Sequence, residues 1–178
     1  MHGLIFASFR DYLATEHGPA VARDVTAGEP QYTLSEAYPD EQFLVLLERG
    51  CTRTGLPLEE LLFEFGVFTA ATTFARLYSV LFKLSPTARD FLLTVETRIH
   101  ELVRATIPRA EPPRLHVTPD GPDGVRIEYR SHRRLCALLR GLVDGTAGHY
   151  GERAAIEESS CMRRGDEACI CHVRLSPS

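Results

Sequence analysis

The sequence contains no tryptophan and only two methionines among its 178 residues, and aromatic residues make up 8% of it. It also lacks any apolar run that approaches the roughly 18 residues of a membrane-spanning helix, so we expect no membrane insertion. The opening segment, MHGLIFASFRDYL, is apolar, but it has no positively charged leader and reaches Arg10 and Asp11 too early for a signal peptide. These absences favour a cytoplasmic protein.

No excess of charge of one sign is present, because 20 Lys and Arg face 24 Asp and Glu for a net charge of −4. Such a composition gives no broad electrostatic attraction to nucleic acid or to anionic lipid. The sequence also contains no Walker loop, nucleophile elbow or paired His-Glu metalloprotease helix. We therefore expect a binding protein that is not an enzyme.

The first two thirds of the chain have the apolar spacing of helices. Apolar residues make up 44% and charged residues 25% of the sequence, as in an average soluble domain. The spacing predicts helices over residues 3–16, 20–27, 40–50, 58–65, 67–83 and 87–106. Ser85-Pro86 is a start signal for the last of these, with Ser as N-cap and Pro in the first turn.

After Pro108 the pattern changes to alternating apolar and polar residues. Two hairpins are predicted, the first from 115–117 and 125–129 and the second from 154–161 and 168–175, with a helix over 133–150 between them. The fold class is therefore α+β: a helical N-terminal subdomain (1–66) precedes a C-terminal subdomain (67–178) with a four-stranded antiparallel sheet and packed helices.

His100 lies late on the long predicted helix, to one side of an apolar stripe that includes Val95 and Ile99. A neutral imidazole at this position could be the axial ligand of a flat apolar cofactor, as the proximal histidine is for haem iron. A lone helical histidine is more often an ordinary surface or core residue. Spacing alone leaves both interpretations open.

A second candidate site is the Tyr129-x-Ser131-x-Arg133 segment, at the junction of a strand and a helix. In an extended segment these three side chains project from one face, where a phenol, a hydroxyl and a guanidinium can together bind a carboxylate. The alternative is a polar strand end at which Ser131 caps the next helix.

Four segments in order resemble the H-NOX (haem-nitric oxide/oxygen binding) family, which is related to the haem domain of soluble guanylate cyclase. They are Met1-His2-Gly3-Leu4-Ile5, Arg98-Ile99-His100-Glu101-Leu102, Pro112-Pro113-Arg114-Leu115, and Tyr129-x-Ser131-x-Arg133 running into Gly141-Leu142-Val143. The resemblance covers essentially the whole chain. It implies a single H-NOX-like domain, residues 1–178, that binds haem b.

The resemblance also implies roles for individual residues. His100 is similar to the proximal iron ligand of the family, and Tyr129, Ser131 and Arg133 are similar to its clamp on the haem propionates. Ile5 and Pro113 match the haem-contacting and haem-distorting positions.

The distal side of the implied haem carries an inference about gas selectivity. Oxygen-binding members of the family have a distal tyrosine seven positions beyond the serine of the motif, and here that position is Leu138. Bound oxygen needs a hydrogen-bond donor, whereas nitric oxide binds strongly without one, so the expected ligand is nitric oxide. Tyr78 remains as an alternative donor.

The cysteines form a third candidate site. Cys169 and Cys171 are two residues apart on a predicted strand and therefore share a face, with Cys161 across the turn and Cys136 on the preceding helix. Four thiolates suit tetrahedral zinc, and some H-NOX proteins resemble this chain in having a cysteine-bound zinc near the C-terminus. We expect these four residues to bind one zinc ion, with Cys51 outside the site. Unrelated buried or free thiols are the alternative.

The chain contains no kinase, cyclase or methyl-accepting segment, so the implied signal must pass to a separate protein. We expect a histidine kinase, a diguanylate cyclase or a chemotaxis-type effector. A rival interpretation is a haem-free small-molecule or redox-sensing module, because Cys161-x-x-x-Gly165-Asp166-x-x-Cys169-x-Cys171 also resembles the end of 4-vinyl reductase domains. A third interpretation is a domain in which zinc is purely structural and which functions only by binding another protein.

Overall fold

The computed structural model describes residues 1–178 and contains seven helices and one four-stranded sheet. The N-terminal helices are α1 (Gly3–Glu16), α2 (Pro19–Val25) and α3 (Asp40–Thr54). Their boundaries follow local chemistry. The His2 side chain caps α1 by accepting a hydrogen bond from the Leu4 N–H, and Gly55 ends α3 with a φ of 76°, where glycine avoids the strain of a side chain.

The fourth helix is less regular than the apolar spacing predicts. α4 begins as Leu58–Phe68 and continues through a π-helical segment (Thr69–Phe74) and a short α-helical turn (Ala75–Leu77). It stops at Tyr78, whose φ of −103° and ψ of 27° are not helical, and α5 (Ser79–Leu84) follows. The single helix expected over 67–83 is therefore interrupted at Tyr78. The threonine-rich run, whose β-branched side chains weaken helical preference, lies earlier, in the π-helical segment.

The sixth helix contains a second π-helical segment. α6 runs as Ala88–Val95, then π-helical Glu96–His100, then Glu101–Thr106. The seventh helix, α7 (Cys136–His149), follows the first hairpin. None of the helices combines the length and the apolar character that a membrane span requires.

The strands are β1 (Arg114–Pro119), β2 (Gly124–Arg130), β3 (Glu152–Ser160) and β4 (Cys169–Pro177). They pair in the antiparallel order β1-β2-β4-β3, so both predicted hairpins are present. Burial alternates along β2 and β4, and the buried face packs against α7. The α+β fold with a four-stranded antiparallel sheet is confirmed.

Helix α7 joins two hydrophobic cores. Leu138 belongs to the core of the N-terminal helices, whereas Leu139 and Val143 belong to the core under the sheet. Glycines allow α4 and α7 to approach closely, since a Cβ at Gly141 would lie 2.0 Å from the carbonyl oxygen of Phe63. The division of the chain at residue 66 falls inside α4 and stays a prediction.

Candidate functional site

A large cavity lies where α1, α4, α6, α7 and the first hairpin meet. It encloses about 1240 Å³ of space free of protein atoms, part of it open to solvent, and 19 of its 27 lining residues are hydrophobic. The sequence-predicted site residues that line it are Ile5, Tyr78, His100, Pro113, Tyr129, Ser131, Arg133 and Leu138. Residues far apart in the chain therefore converge on one apolar space with a few polar groups at its wall.

His100 lies in the π-helical segment of α6 and is mostly buried. Its Nδ1 lies 2.9 Å from Oε2 of Glu96, while its Nε2 makes no hydrogen bond within the chain. Burial lowers the pKa of His100 from its ordinary value, and Glu96 acts in the opposite direction. A neutral imidazole with one nitrogen held and the other free has the form that a metal ligand requires.

Glu96 is a residue of the candidate site that the sequence analysis missed. Its Oε2 also accepts a hydrogen bond from the Leu115 N–H at 3.1 Å, and its Oε1 pairs with Arg104. Burial alone would raise the pKa of Glu96, but the contacts with His100, Leu115 and Arg104 together lower it. The four-residue spacing to His100 was the one signal in the sequence that could have found it.

The Tyr129-x-Ser131-x-Arg133 segment leaves the end of β2 and reaches the cavity. Burial raises the pKa of Tyr129 to about 12, with Ser131 acting in the opposite direction, so the phenol stays protonated. The side chain of Arg133 is 9% exposed, and its Nη1 donates to the carbonyl oxygen of Glu111. Its buried Nε faces the Asp40 carboxylate, and its Nη2 makes no hydrogen bond within the chain.

Asp40, at the start of α3, connects this segment to the N-terminal helices. Its Oδ2 lies 2.8 Å from Arg133 Nε and 2.7 Å from His132 Nε2, and its Oδ1 lies 2.6 Å from the amino group of Met1. Burial alone would raise the pKa of Asp40, but hydrogen bonds from Arg133, the Met1 amino group and His132 hold it well below its usual range. Nothing in the sequence pattern pointed to this residue.

The wall beside α7 bears on gas selectivity. Leu138 is buried at the cavity and presents only hydrocarbon. Tyr78 also lines the cavity, burial raises its pKa, and its hydroxyl makes no hydrogen bond within the chain. The wall is therefore apolar at position 138 and carries one unpaired hydroxyl at the break between α4 and α5.

Three of the four predicted zinc ligands come together, and Cys171 does not. The sulfur atoms of Cys136, Cys161 and Cys169 all lie within 4.8 Å of one another, with Cys136 and Cys169 separated by 2.8 Å. Burial and the neighbouring thiols raise the pKa of Cys136. The expectation of four clustered cysteines is wrong, because Cys171 lies two residues along β4 from Cys169, about 7 Å away by strand geometry.

The residues around the cavity fit a haem. The lining is mainly hydrophobic, as a porphyrin requires, and a buried histidine supplies a free ring nitrogen. At another part of the wall the largely buried Arg133 side chain has an Nη2 that makes no hydrogen bond within the chain, which suits an anionic group such as a propionate.

Comparisons with known proteins agree with this chemistry. A sequence model of the haem-NO-binding family (HNOB) matches residues 2–158. The fold matches an H-NOX protein from S. oneidensis in its Fe(II)NO state, with a TM-score of 0.89, 20% identity and 99% of each chain covered. It also matches an unliganded Fe(II) H-NOX protein from K. algicida, with a TM-score of 0.83, 23% identity and coverage of 100% of this chain and 98% of that one.

A third similar structure is an oxygen-binding H-NOX domain related to soluble guanylate cyclases, solved as its oxygen complex. Its TM-score is 0.86 at 22% identity, with 99% of this chain and 96% of that chain covered. A search of curated proteins found no match. Since the family model spans most of the sequence, the chain belongs to the haem-NO-binding (H-NOX) family of haem-based gas-sensing domains.

Proposed function

We propose that this chain is a nitric oxide sensor that holds haem b through His100. The observation that carries the proposal is the state of His100 at the apolar cavity: Nδ1 is held by Glu96 and Nε2 is free. Bound haem would supply a ferrous iron that takes up a diatomic gas. The rest of the chemistry belongs to the protein, which fixes the axial ligand, binds the propionates and shapes the gas side.

The Tyr129, Ser131 and Arg133 side chains bind the propionates in this proposal. Arg133 supplies the charge, since its Nη2 makes no hydrogen bond within the chain, and the two hydroxyls complete the carboxylate's hydrogen bonds. Ile5 and Pro113 line the same cavity and pack against the macrocycle. Rigid contacts of this kind set the shape of a bound porphyrin.

Selectivity for nitric oxide rests on Leu138. A hydrocarbon side chain at this wall offers no proton to a gas ligand, and only ligands that bind without a donor are then held firmly. The Tyr78 hydroxyl is the competing hydrogen-bond donor, and the Tyr78→Phe variant tests whether it acts as one.

The sensor passes its state to a separate effector in the cytoplasm, such as a histidine kinase, a diguanylate cyclase or a chemotaxis-type protein, and performs no catalysis itself. The rival 4-vinyl reductase interpretation is not favoured, because the chain belongs to the H-NOX family and the cavity carries a histidine suited to iron.

Haem titration of the purified protein tests this function. We expect a Soret band with one haem per chain, and after reduction a spectrum of five-coordinate, histidine-ligated iron. His100→Ala removes that spectrum, and added imidazole restores it. His116→Ala is the matched control, because His116 lies exposed on β1 outside the cavity. A wild-type chain that takes up no haem contradicts the proposal.

A second proposal concerns zinc at Cys136, Cys161 and Cys169. Thiolates around tetrahedral zinc lie about 3.8 Å apart, given Zn–S bonds of about 2.3 Å. The Cys161–Cys169 separation of 3.7 Å is close to this value, whereas the Cys136–Cys169 separation of 2.8 Å would have to widen by about 1 Å on binding. Three protein ligands leave one position of the ion open.

Metal analysis of single Cys→Ser variants tests the zinc site. We expect one zinc per chain in the wild type, and loss of zinc in Cys136→Ser, Cys161→Ser and Cys169→Ser. Cys51→Ser and Cys171→Ser are the controls and retain it. Loss of zinc in Cys171→Ser would show that all four cysteines bind the ion. Retention of zinc in Cys169→Ser would contradict the proposed site.

A further inference from the structure

A network of polar groups lies beside Nδ1 of His100, on the opposite side of the ring from the free Nε2. Glu96 lies at its centre: Oε2 is 2.9 Å from His100 Nδ1 and 3.1 Å from the Leu115 nitrogen, and Oε1 forms an ion pair with Arg104. Arg104 Nη1 lies 3.5 Å from the carbonyl oxygen of Pro113. The network therefore ties the histidine to the Pro113–Leu115 segment that lines the same cavity.

The network fixes where the proton of His100 resides. Both oxygens of Glu96 face donors, an N–H at Oε2 and a guanidinium at Oε1, so the carboxylate can only accept. Nδ1 of His100 must then donate to it, which leaves the lone pair on Nε2. A second-shell carboxylate commonly orients a metal-binding histidine in this way.

An ionised acceptor does more than orient the ring. Hydrogen bonds to a carboxylate are roughly twice as strong as those between neutral groups, and they draw the Nδ1 proton toward the acceptor. The ring thereby gains negative charge and becomes a stronger electron donor through Nε2. Hydrogen bonding behind the axial ligand is one of the means by which a protein tunes haem iron.

We propose that Glu96 is a positioning residue that makes His100 a strongly donating, partly imidazolate-like axial ligand and so stabilises ferric over ferrous iron. The proposal rests on the haem-binding function proposed above. Arg104 keeps the carboxylate ionised, and the Leu115 N–H keeps it aimed at the histidine, so both contribute to the same effect.

A plain structural role for Glu96 makes different predictions. Glu96 and His100 are four residues apart on one helix, and such pairs stabilise helices without any ligand. In that case substitution would lower the melting temperature of the haem-free protein and leave the iron unaffected. Spectroscopy of the iron–histidine bond separates the two roles.

The test compares Glu96→Gln and Glu96→Ala with the control Glu101→Gln, which removes an exposed carboxylate from the same helix. Resonance Raman spectroscopy gives the iron–histidine stretching frequency of the ferrous protein, and redox titration gives its midpoint potential. We expect both Glu96 variants to lower the frequency and raise the potential, Ala more than Gln, while the control changes neither. Haem should also dissociate from Glu96→Ala about tenfold faster.

Chemical rescue keeps the proposal testable if a Glu96 variant folds poorly. In His100→Gly, imidazole and 1-methylimidazole can both bind iron, but only imidazole keeps an N–H for Glu96. We expect imidazole to give the higher stretching frequency, and the difference to vanish in the His100→Gly/Glu96→Ala double variant, which has no acceptor at this position.

The outcomes separate this proposal from the proposed function. An unchanged frequency and potential in Glu96→Gln, with haem bound through His100, overturns the role of Glu96 and leaves the haem assignment standing. A wild-type chain that binds no haem overturns both.

Discussion

Asp40 Oδ2 lies 2.8 Å from Nε of Arg133, so the first turn of α3 faces the guanidinium at the cavity. The amino group of Met1 and the His132 ring share the same carboxylate. One acidic side chain thereby links the start of the chain, the third helix and the segment proposed to bind the propionates.

Replacing that carboxylate tests the link. Asp40→Asn leaves the Met1 amine and Arg133 without their anion, so we expect a loss of about 1–3 kcal/mol in the free energy of unfolding of the haem-free protein. Urea unfolding measures it. Asp11→Asn is the control, because its ion pair with Arg10 is half exposed and contributes little. A stability equal to the wild type would show that the network is not formed.

Acid titration tests the same carboxylate in another way. The pKa of Asp40 in the folded protein lies well below its ordinary value of 3.8. A depressed pKa contributes stability that is complete above the ordinary value and is lost as the pH falls toward the folded value. We therefore expect wild type to lose more stability than Asp40→Asn as the pH falls below about 4. Parallel pH–stability curves would contradict this.

Gas selectivity should follow the residue at position 138. We expect the ferrous haem protein to bind nitric oxide and carbon monoxide and to show no stable oxygen complex in air, because Leu138 donates no proton. Leu138→Tyr should gain an oxygen complex, visible in the absorbance spectrum. An oxygen complex in the wild type that disappears in Tyr78→Phe would instead assign the donor to Tyr78.

The close packing of α4 on α7 depends on glycine. In Gly141→Ala the new Cβ would meet the Phe63 carbonyl oxygen at 2.0 Å, and backbone must move to make room. We expect a destabilisation of about 1–3 kcal/mol in urea unfolding. Gly148→Ala, on the same helix with no atom within 4 Å, should be neutral or gain up to about 1 kcal/mol. Equal effects would contradict the packing argument.

Much of the architecture was predictable from the sequence because it depends on local patterns. Alternating apolar residues in β2 and β4 define the strands. The predicted N-cap of α6 is wrong by two residues, because Thr87 rather than Ser85 caps the helix by accepting a hydrogen bond from the Asp90 N–H. Helical spacing, however, cannot reveal the π-helical segments, since an extra residue in a turn leaves the composition unchanged. The break at Tyr78 is likewise a property of the backbone that no local signal predicts.

Only those site residues that belong to a sequence motif or to the family resemblance could be predicted from the sequence. His100 and the Tyr129-x-Ser131-x-Arg133 segment do line one cavity. Asp40 was missed because it is 92 residues from His132, and only the tertiary fold brings them together. For Cys171 the strand periodicity correctly predicted the face of the sheet that it shares with Cys169. It could not predict the distance between the Cys171 sulfur and the other three sulfur atoms, and metal binding depends on that distance.

The central claim is that His100 binds the haem iron. Resonance Raman spectroscopy of the ferrous protein, prepared with and without ¹⁵N-labelled histidine, tests it most directly. The account predicts an iron–histidine band that shifts to lower frequency on labelling and is absent from His100→Gly. A band that persists in His100→Gly, or ferrous haem without any label-sensitive band, would contradict it.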